Sequence, residues 1–115
     1  MGSSEHGFSQ SDELPIFVKW MDYLKWILMT TEKFPKRVRF TFSDRINDLA
    51  IGMVEELVEA RYTKNKVGPL ARANLRIEKI RVLMRICYEQ RFLSRQSYEH
   101  SAYGLNEIGK MKSSR

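Results

Sequence analysis

The sequence predicts an all-α fold, an antiparallel up-down-up-down four-helix bundle. Four successive stretches of the 115-residue chain repeat apolar residues every three or four positions, which is the spacing of one helix face. None of them has the alternation typical of a strand. Short connections separate the stretches, the first marked by Pro35 and the second by Asn65, Gly68 and Pro69, so consecutive helices are expected to lie side by side. We assign residues 13–111 to the bundle, 1–12 to a disordered or tag-like N-terminal tail and 112–115 to a frayed C-terminus.

The second helix is predicted to pack on one core, whereas the first is apolar nearly all round, because Val18, Trp26 and Met29 fall opposite its inner face and support a second apolar surface. The first covers about residues 13–31 and ends before Phe34-Pro35, because proline cannot continue a helix. The second covers about residues 41–62 and carries its acids outside the apolar stripe, at Asp44, Asp48, Glu55, Glu56 and Glu59. A small basic cluster lies between the two helices and consists of Lys33, Lys36, Arg37 and Arg39.

The third helix, about residues 70–92, has apolar residues on two opposite sides. One stripe faces the core, and the other consists of Leu75, Val82 and Ile86. Because a helix in a monomeric bundle needs one apolar face, we predict that this second stripe is an interface between subunits. The alternative is a core wide enough to bury both stripes. The fourth helix follows Leu93-Ser94, with Ser94 as its N-cap.

The positive charge is concentrated in one part of the chain. The net charge is +6, and the segment 66–95, with eight basic and two acidic residues, carries all of this excess. Such clustering is typical of proteins with a polyanionic partner. We therefore predict nucleic-acid or partner binding by the basic residues of the third helix, Arg72, Arg76, Lys79, Arg81 and Arg85.

Two interpretations of Arg81 and Arg85 remain open at this point. The two residues are four positions apart, so they share a helix face and can grip adjacent phosphates. Alternatively, they pair within the chain with acids of the second helix such as Glu55 or Glu59.

The sequence offers no set of residues suited to catalysis. The histidines, His6 and His100, are isolated, and neither has metal-ligand spacing with Cys87. Cys87 lies on the inward stripe, where an inert buried thiol is expected. We therefore predict a protein that is not an enzyme, with no metal and no cofactor. A single cysteine, no signal sequence and no apolar run long enough for a membrane span predict a cytoplasmic location.

Several short motifs resemble those of a bacterial and phage family of four-helix proteins. They are Phe34-Pro35-Lys36, the arginine-containing stretch from Leu70 to Ile86, Leu93-Ser94, and Ile108-Gly109-Lys110-Met111. The family comprises the accessory variability determinant (Avd) proteins of diversity-generating retroelements and the related proteins encoded in 23S ribosomal RNA intervening sequences. The resemblance covers residues 34–111. The ribosomal branch has a Ser/Asn-Ile-x-Glu-Gly signature that the stretch from Ala50 to Glu56 does not match, which favours the retroelement branch.

The resemblance implies a homopentamer of four-helix bundles with a basic surface, in the cytoplasm of a prokaryotic or phage-infected cell. Such a protein is a non-catalytic accessory subunit that binds a reverse transcriptase and RNA or DNA, and supports mutagenic reverse transcription. Arg81 and Arg85 match the paired arginines of the family, whereas Lys112-Ser113-Ser114-Arg115 replaces its usual apolar ending, Leu-Gly-Gly/Ser-Trp. The alternative is a structural homo-oligomer of the ribosomal intervening-sequence type, without a reverse-transcriptase partner.

Overall fold

Residues 15–113, which the computed structural model describes, form four long helices and no strand. The helices are α1 (Pro15–Thr31), α2 (Asp44–Tyr62), α3 (Val67–Glu89) and α4 (Arg95–Ser113). The all-α prediction is therefore confirmed. The predicted tail, residues 1–12, and residues 114–115 of the predicted frayed C-terminus lie outside the described residues. Within residues 15–113, no helix combines the length and the apolar character that crossing a membrane demands.

Two short helical turns connect α1 to α2. A 3₁₀ turn at Lys36–Val38 is followed by a π-helical turn at Arg39–Ser43, which includes the predicted start of the second helix. The backbone N–H of Asp44 donates to the carbonyl of Arg39, five residues earlier, so the chain enters α2 through a widened turn.

The bounds of α3 both lie three residues before the predicted ones. The early start is possible because Pro69 lies in the first turn, where its missing N–H would have no helical partner. The helix ends in a Schellman turn: Arg91 adopts a left-handed backbone (φ 66°), and the Phe92 N–H donates to the carbonyl five residues earlier at 2.9 Å. Ser94 then caps α4 as predicted, because its hydroxyl accepts from the Ser97 N–H at 3.1 Å.

The four helices enclose one core. α2 and α4 each pack against both α1 and α3, which places α1 and α3 on a diagonal. All four helices contribute fully buried side chains, among them Trp20, Met53, Ile80 and Leu105. Each such aliphatic side chain stabilises the fold by about 1.5–3 kcal/mol relative to exposure. The predicted inner stripe of α3 is confirmed, since the helix buries Ala73, Ile77, Ile80, Met84 and Cys87.

Two hydrogen bonds satisfy the polar atoms that the aromatic residues of α1 bring into this core. The indole N–H of Trp20 donates to the carbonyl of Ala50 on α2 at 2.9 Å. The hydroxyls of Tyr23 and Ser101, on α1 and α4, lie 2.8 Å apart and share a hydrogen bond. Because a buried polar group without a partner costs about 1–3 kcal/mol, these bonds fix the rotation of α1 against both neighbours.

Candidate functional site

The five basic residues predicted to bind nucleic acid lie on two different flanks of α3. Arg72 and Arg76 point towards α2, where their guanidinium groups meet carboxylates. Arg81 lies on the other flank, where it lines a small depression of about 100 Å³ together with α4 residues that include Tyr98 and Ser101. The structure therefore does not bring the five side chains into one cluster.

Carboxylates of α2 hold the two arginines of the first flank. The Arg72 Nε donates to Glu56 Oε1 at 2.9 Å, and its Nη2 donates to Glu59 Oε2 at 2.9 Å. The Arg76 Nε lies 3.6 Å from Glu56 Oε2, and Glu56 is only 7% exposed. The hydrogen bond that Arg72 donates to Glu56, followed by the one it donates to Glu59, raises the pKa of Arg72 above its ordinary value. These two guanidinium groups serve first to neutralise acids of the neighbouring helix.

Arg81 and Arg85 pair along their own helix and do not pair with α2. The Arg81 Nε lies 3.3 Å from Glu78, and the Arg85 Nε lies 3.1 Å from Glu89. Pairing with α2 acids, the alternative left open by the sequence, thus applies to Arg72 and Arg76 instead. Exposed pairs within one helix contribute about 0–1 kcal/mol, so a phosphate can readily replace either carboxylate. Lys79 is exposed and makes no ion pair with any residue that the structure describes.

Gly52 is a further residue of the first flank, to which sequence analysis assigned no role. It is buried in the middle of α2, and the guanidinium of Arg76 lies so close that a Cβ at this position would overlap it. A glycine within an otherwise regular helical pattern was the available signal, because glycine disfavours helix interiors unless packing requires it. Gly52 makes room for the arginine beside Glu56.

The second apolar stripe of α3 is exposed. Leu75 is 55% and Val82 58% exposed, while Ile86 is half-buried. The core of a single chain therefore leaves Leu75 and Val82 uncovered. This contradicts, for these two residues, the alternative of a core wide enough to bury both stripes. Beside it, a groove of about 460 Å³ between α2 and α3 is lined by Arg45, Leu49, Glu78, Lys79, Val82 and Leu83.

A second exposed apolar surface lies on α1. Met29 is 61% exposed, and Val18 and Leu28 are each 38% exposed. Trp26, which the helical spacing also places on the outer side of α1, instead packs on His100 of α4 with ring centroids 4.5 Å apart. Because α1 and α3 are diagonal in the bundle, the exposed surfaces of these two helices face in opposite directions.

The only cysteine, Cys87, is fully buried, and burial raises the pKa of its thiol to about 11. Within the described part of the chain, no group of three or more His, Cys, Asp or Glu residues is arranged to hold a metal ion. The features that remain as candidates are the basic flanks of α3 and the two exposed apolar surfaces.

The sequence of residues 16–114 matches the model of one protein family, described as bAvd-like. The match extends over α1 as well as the other three helices, and so covers more of the chain than the motifs at residues 34–111. No curated protein matches the sequence.

Proposed function

Because this chain belongs to the bAvd-like family, we propose that it is a non-catalytic accessory subunit of a diversity-generating retroelement. In this role it binds a reverse transcriptase and RNA or DNA through a basic oligomeric surface, in the cytoplasm, and supports mutagenic reverse transcription. The observation that carries the proposal is the family match over residues 16–114. The net charge of +6 supports the nucleic-acid part of it, because phosphates are the obvious counterions for such a surface.

Part of the basic surface on α3 is suited to this role. Lys79 and Arg85 are exposed, and Arg81 is partly exposed. The carboxylates that pair with Arg81 and Arg85, Glu78 and Glu89, are weakly held surface partners, in contrast to the nearly buried Glu56 that binds Arg72. We therefore expect Lys79, Arg81 and Arg85 to contact phosphates, with Arg72 and Arg76 contributing mainly through the field of their charge.

The proposal includes an antiparallel up-down course of the four helices. Contacts near the ends of consecutive helices support it: Thr31 at the end of α1 bonds Asn47 near the start of α2 at 3.0 Å. Tyr88, near the end of α3, stacks on Tyr98 near the start of α4 with ring centroids 4.6 Å apart. This course brings the α1–α2 and α3–α4 connections to the same end of the bundle.

The two exposed apolar surfaces support a homo-oligomer. Different surfaces on opposite sides of one subunit, those of α1 and α3, suit a head-to-tail contact that closes into a ring. Leu75, Val82 and Ile86 are the α3 side of this proposed interface. The preferred count of five subunits follows from the family resemblance alone.

A reverse transcriptase encoded beside this gene is the proposed protein partner. It binds either directly or through RNA that bridges basic surfaces on both proteins. The test is to capture the enzyme on the immobilised full chain before and after nuclease treatment. Capture that survives digestion supports direct contact, capture that is lost supports bridging, and no capture in either case contradicts the proposed partner.

Nucleic-acid binding is tested separately, by fluorescence anisotropy of labelled RNA and DNA at several salt concentrations. If each protomer contacts about four phosphates, the log–log salt slope is roughly −3 to −4 per engaged protomer. An oligomer that binds neither nucleic acid nor reverse transcriptase would instead be a structural protein of the ribosomal intervening-sequence type.

A further inference from the structure

The connection between α1 and α2 carries a basic cluster that is separate from the basic residues of α3. Four of its side chains are basic, Lys33, Lys36, Arg37 and Arg39, and all four are exposed. Glu32 is the one acid between Thr31 and Ser43, and Asp44 follows at the start of α2, where it lies beside Arg39 and Phe40. None of the four basic groups forms an ion pair with another residue in the described range, whereas Arg72, Arg76, Arg81 and Arg85 all do.

Aromatic packing anchors this connection to the connection between α3 and α4. Phe34 and Phe42 pack on Phe92 of the α3–α4 connection, with ring centroids 6.3 and 5.9 Å apart. The guanidinium of Arg37 lies over the same ring, 5.4 Å from its centroid. The two connections thus form one continuous surface, to which the exposed Arg91 adds another positive charge.

Phe40 is the exception among the aromatic residues of this region. It is 84% exposed, although Phe34 and Phe42 on either side of it pack on the core. Phe40 lies within the π-helical turn, next to Arg39, and that turn directs it away from the ring cluster. Turns of this kind occur frequently at functional sites, and the exposed ring of Phe40 is accessible to a ligand.

We propose that this basic end, defined as Lys33, Lys36, Arg37, Arg39, Phe40 and Arg91, binds single-stranded nucleic acid. The cations contact the phosphates, and the ring of Phe40 stacks on an unpaired base. The inference rests on the proposed function, because it assumes that the protein binds nucleic acid at all. It goes beyond that function by naming the strand form and a second surface, distinct from the arginines of α3.

The choice of a single strand follows from the chemistry of the two contacts. In a duplex, base faces are covered by their neighbours, so an exposed ring has nothing to stack on, whereas unpaired bases offer their faces freely. A membrane surface fits less well, because Phe40 is the one strongly exposed apolar side chain between Thr31 and Ser43. Adsorption to a membrane usually buries an apolar face of several residues.

The test compares variants of the full chain on a labelled single-stranded RNA and on the matching duplex, by fluorescence anisotropy. Phe40→Ala and Phe40→Leu should each weaken single-strand binding by about fivefold or more and leave duplex binding unchanged. Phe40→Trp should retain it, because an indole stacks at least as well as a phenyl ring. Tyr103→Ala is the matched control, since Tyr103 is 66% exposed on α4 and lies outside the basic end.

Each alternative outcome overturns a different statement. Unchanged single-strand binding by Phe40→Ala overturns the stacking site and leaves the proposed function intact. Unchanged single-strand binding by Phe40→Leu would show that an apolar contact suffices without stacking, and it would also overturn the stacking site. If the unmodified chain binds neither of these RNAs nor the corresponding DNAs, the nucleic-acid part of the proposed function itself fails. Binding of anionic phosphatidylserine vesicles that depends on Phe40, without RNA binding, would identify a membrane surface and contradict the proposal.

Discussion

Glu56 is the residue whose burial most strongly constrains the basic flank of α3. It is 7% exposed and accepts from Arg72 at 2.9 Å, while Arg76 lies 3.6 Å away and rests against Gly52. A carboxylate that is nearly removed from water needs such partners, because an unpaired buried charge is costly. The arrangement explains why two of the predicted phosphate-binding arginines face a neighbouring helix.

Replacing Glu56 should therefore destabilise the protein more than replacing an adjacent acid. Glu56→Ala leaves the exposed Arg72 and the half-buried Arg76 without their shared acceptor, and we expect a loss of about 1–3 kcal/mol in the free energy of unfolding. Glu55→Ala is the matched control, since Glu55 is exposed on the same helix and should change stability by less than about 0.5 kcal/mol. Urea unfolding followed by circular dichroism measures both, and equal losses would contradict the role of Glu56.

Cys87 gives a second prediction at this scale, through pH. Burial raises the pKa of its thiol from 9.0 to about 11, so the folded state keeps the proton after the unfolded state has released it. Its contribution to stability is complete below about pH 9 and declines as the pH rises towards 11, by at most about 1.4 kcal/mol per pH unit. Burial also raises the pKa of Tyr23, which adds a similar loss at higher pH.

The measurement is the free energy of unfolding in urea at pH 8, 9 and 10. Cys87→Ala should lower stability at every pH but flatten the decline between pH 9 and 10. A variant with the same slope as the original chain would show that the thiol does not titrate differently in the two states.

At the scale of the helix, α3 is unusual because it presents four different surfaces. Its inner stripe packs in the core, one flank meets acids of α2, the other flank faces α4, and the outward side exposes Leu75 and Val82. The basic residues of α3 that leave positive charge available to a ligand are Lys79 beside the groove towards α2, Arg81 towards α4, and the exposed Arg85.

The double variants Arg81→Ala/Arg85→Ala and Arg72→Ala/Arg76→Ala should therefore behave differently. The first removes two phosphate contacts, which weakens RNA binding and reduces the magnitude of the log–log salt slope by about two, with helicity retained. The second removes both partners of Glu56, so we expect lower stability with little change in the slope. Anisotropy titrations and thermal unfolding measure the two properties. The opposite pattern would identify Arg81 and Arg85 as structural residues and contradict the proposed contacts.

At the scale of the whole molecule, the diagonal positions of α1 and α3 bear on the proposed association of copies of the chain. Two unlike apolar surfaces on opposite sides suit a head-to-tail interface, in which α3 of one subunit packs on α1 of the next. A two-fold dimer would instead use one surface twice. The two arrangements differ in what happens when each surface is damaged separately.

Val82→Glu and Met29→Glu should each dissociate the oligomer, because either places an unpaired carboxylate in an interface at a cost of several kcal/mol. Both residues are exposed in the single chain, so each variant should remain folded. An equimolar mixture should form a one-to-one heterodimer, since each variant retains the surface that the other has lost. Tyr103→Glu, at an exposed position on α4, should keep the native mass.

Light scattering coupled to size-exclusion chromatography measures these masses. A monomeric unmodified chain would contradict the oligomer altogether. Native mass for Met29→Glu alone, with dissociation of Val82→Glu, would favour an interface between two α3 surfaces and contradict the head-to-tail ring.

Periodicity within the sequence was sufficient to predict four helices and the inner stripe of α3, and it placed Leu75 and Val82 on the side opposite that stripe. These features depend on the faces of a single helix, and the spacing of apolar residues reports them directly. The ends of α3 were less predictable, because Pro69 is tolerated in a first turn and Arg91 adopts a backbone that usually requires glycine.

The tertiary structure alone decided which charges remain available. The sequence shows arginines on α3 and acids on α2, but it does not show the relative register of the two helices. That register places Arg72 and Arg76 next to Glu56, whereas Arg85 pairs with Glu89 on its own helix. Likewise, only the fold brings the α1–α2 connection next to Phe92 and leaves Phe40 facing water. The physical reason is that a pairing between distant segments depends on how whole helices pack, while a periodic pattern depends only on the residues within one helix.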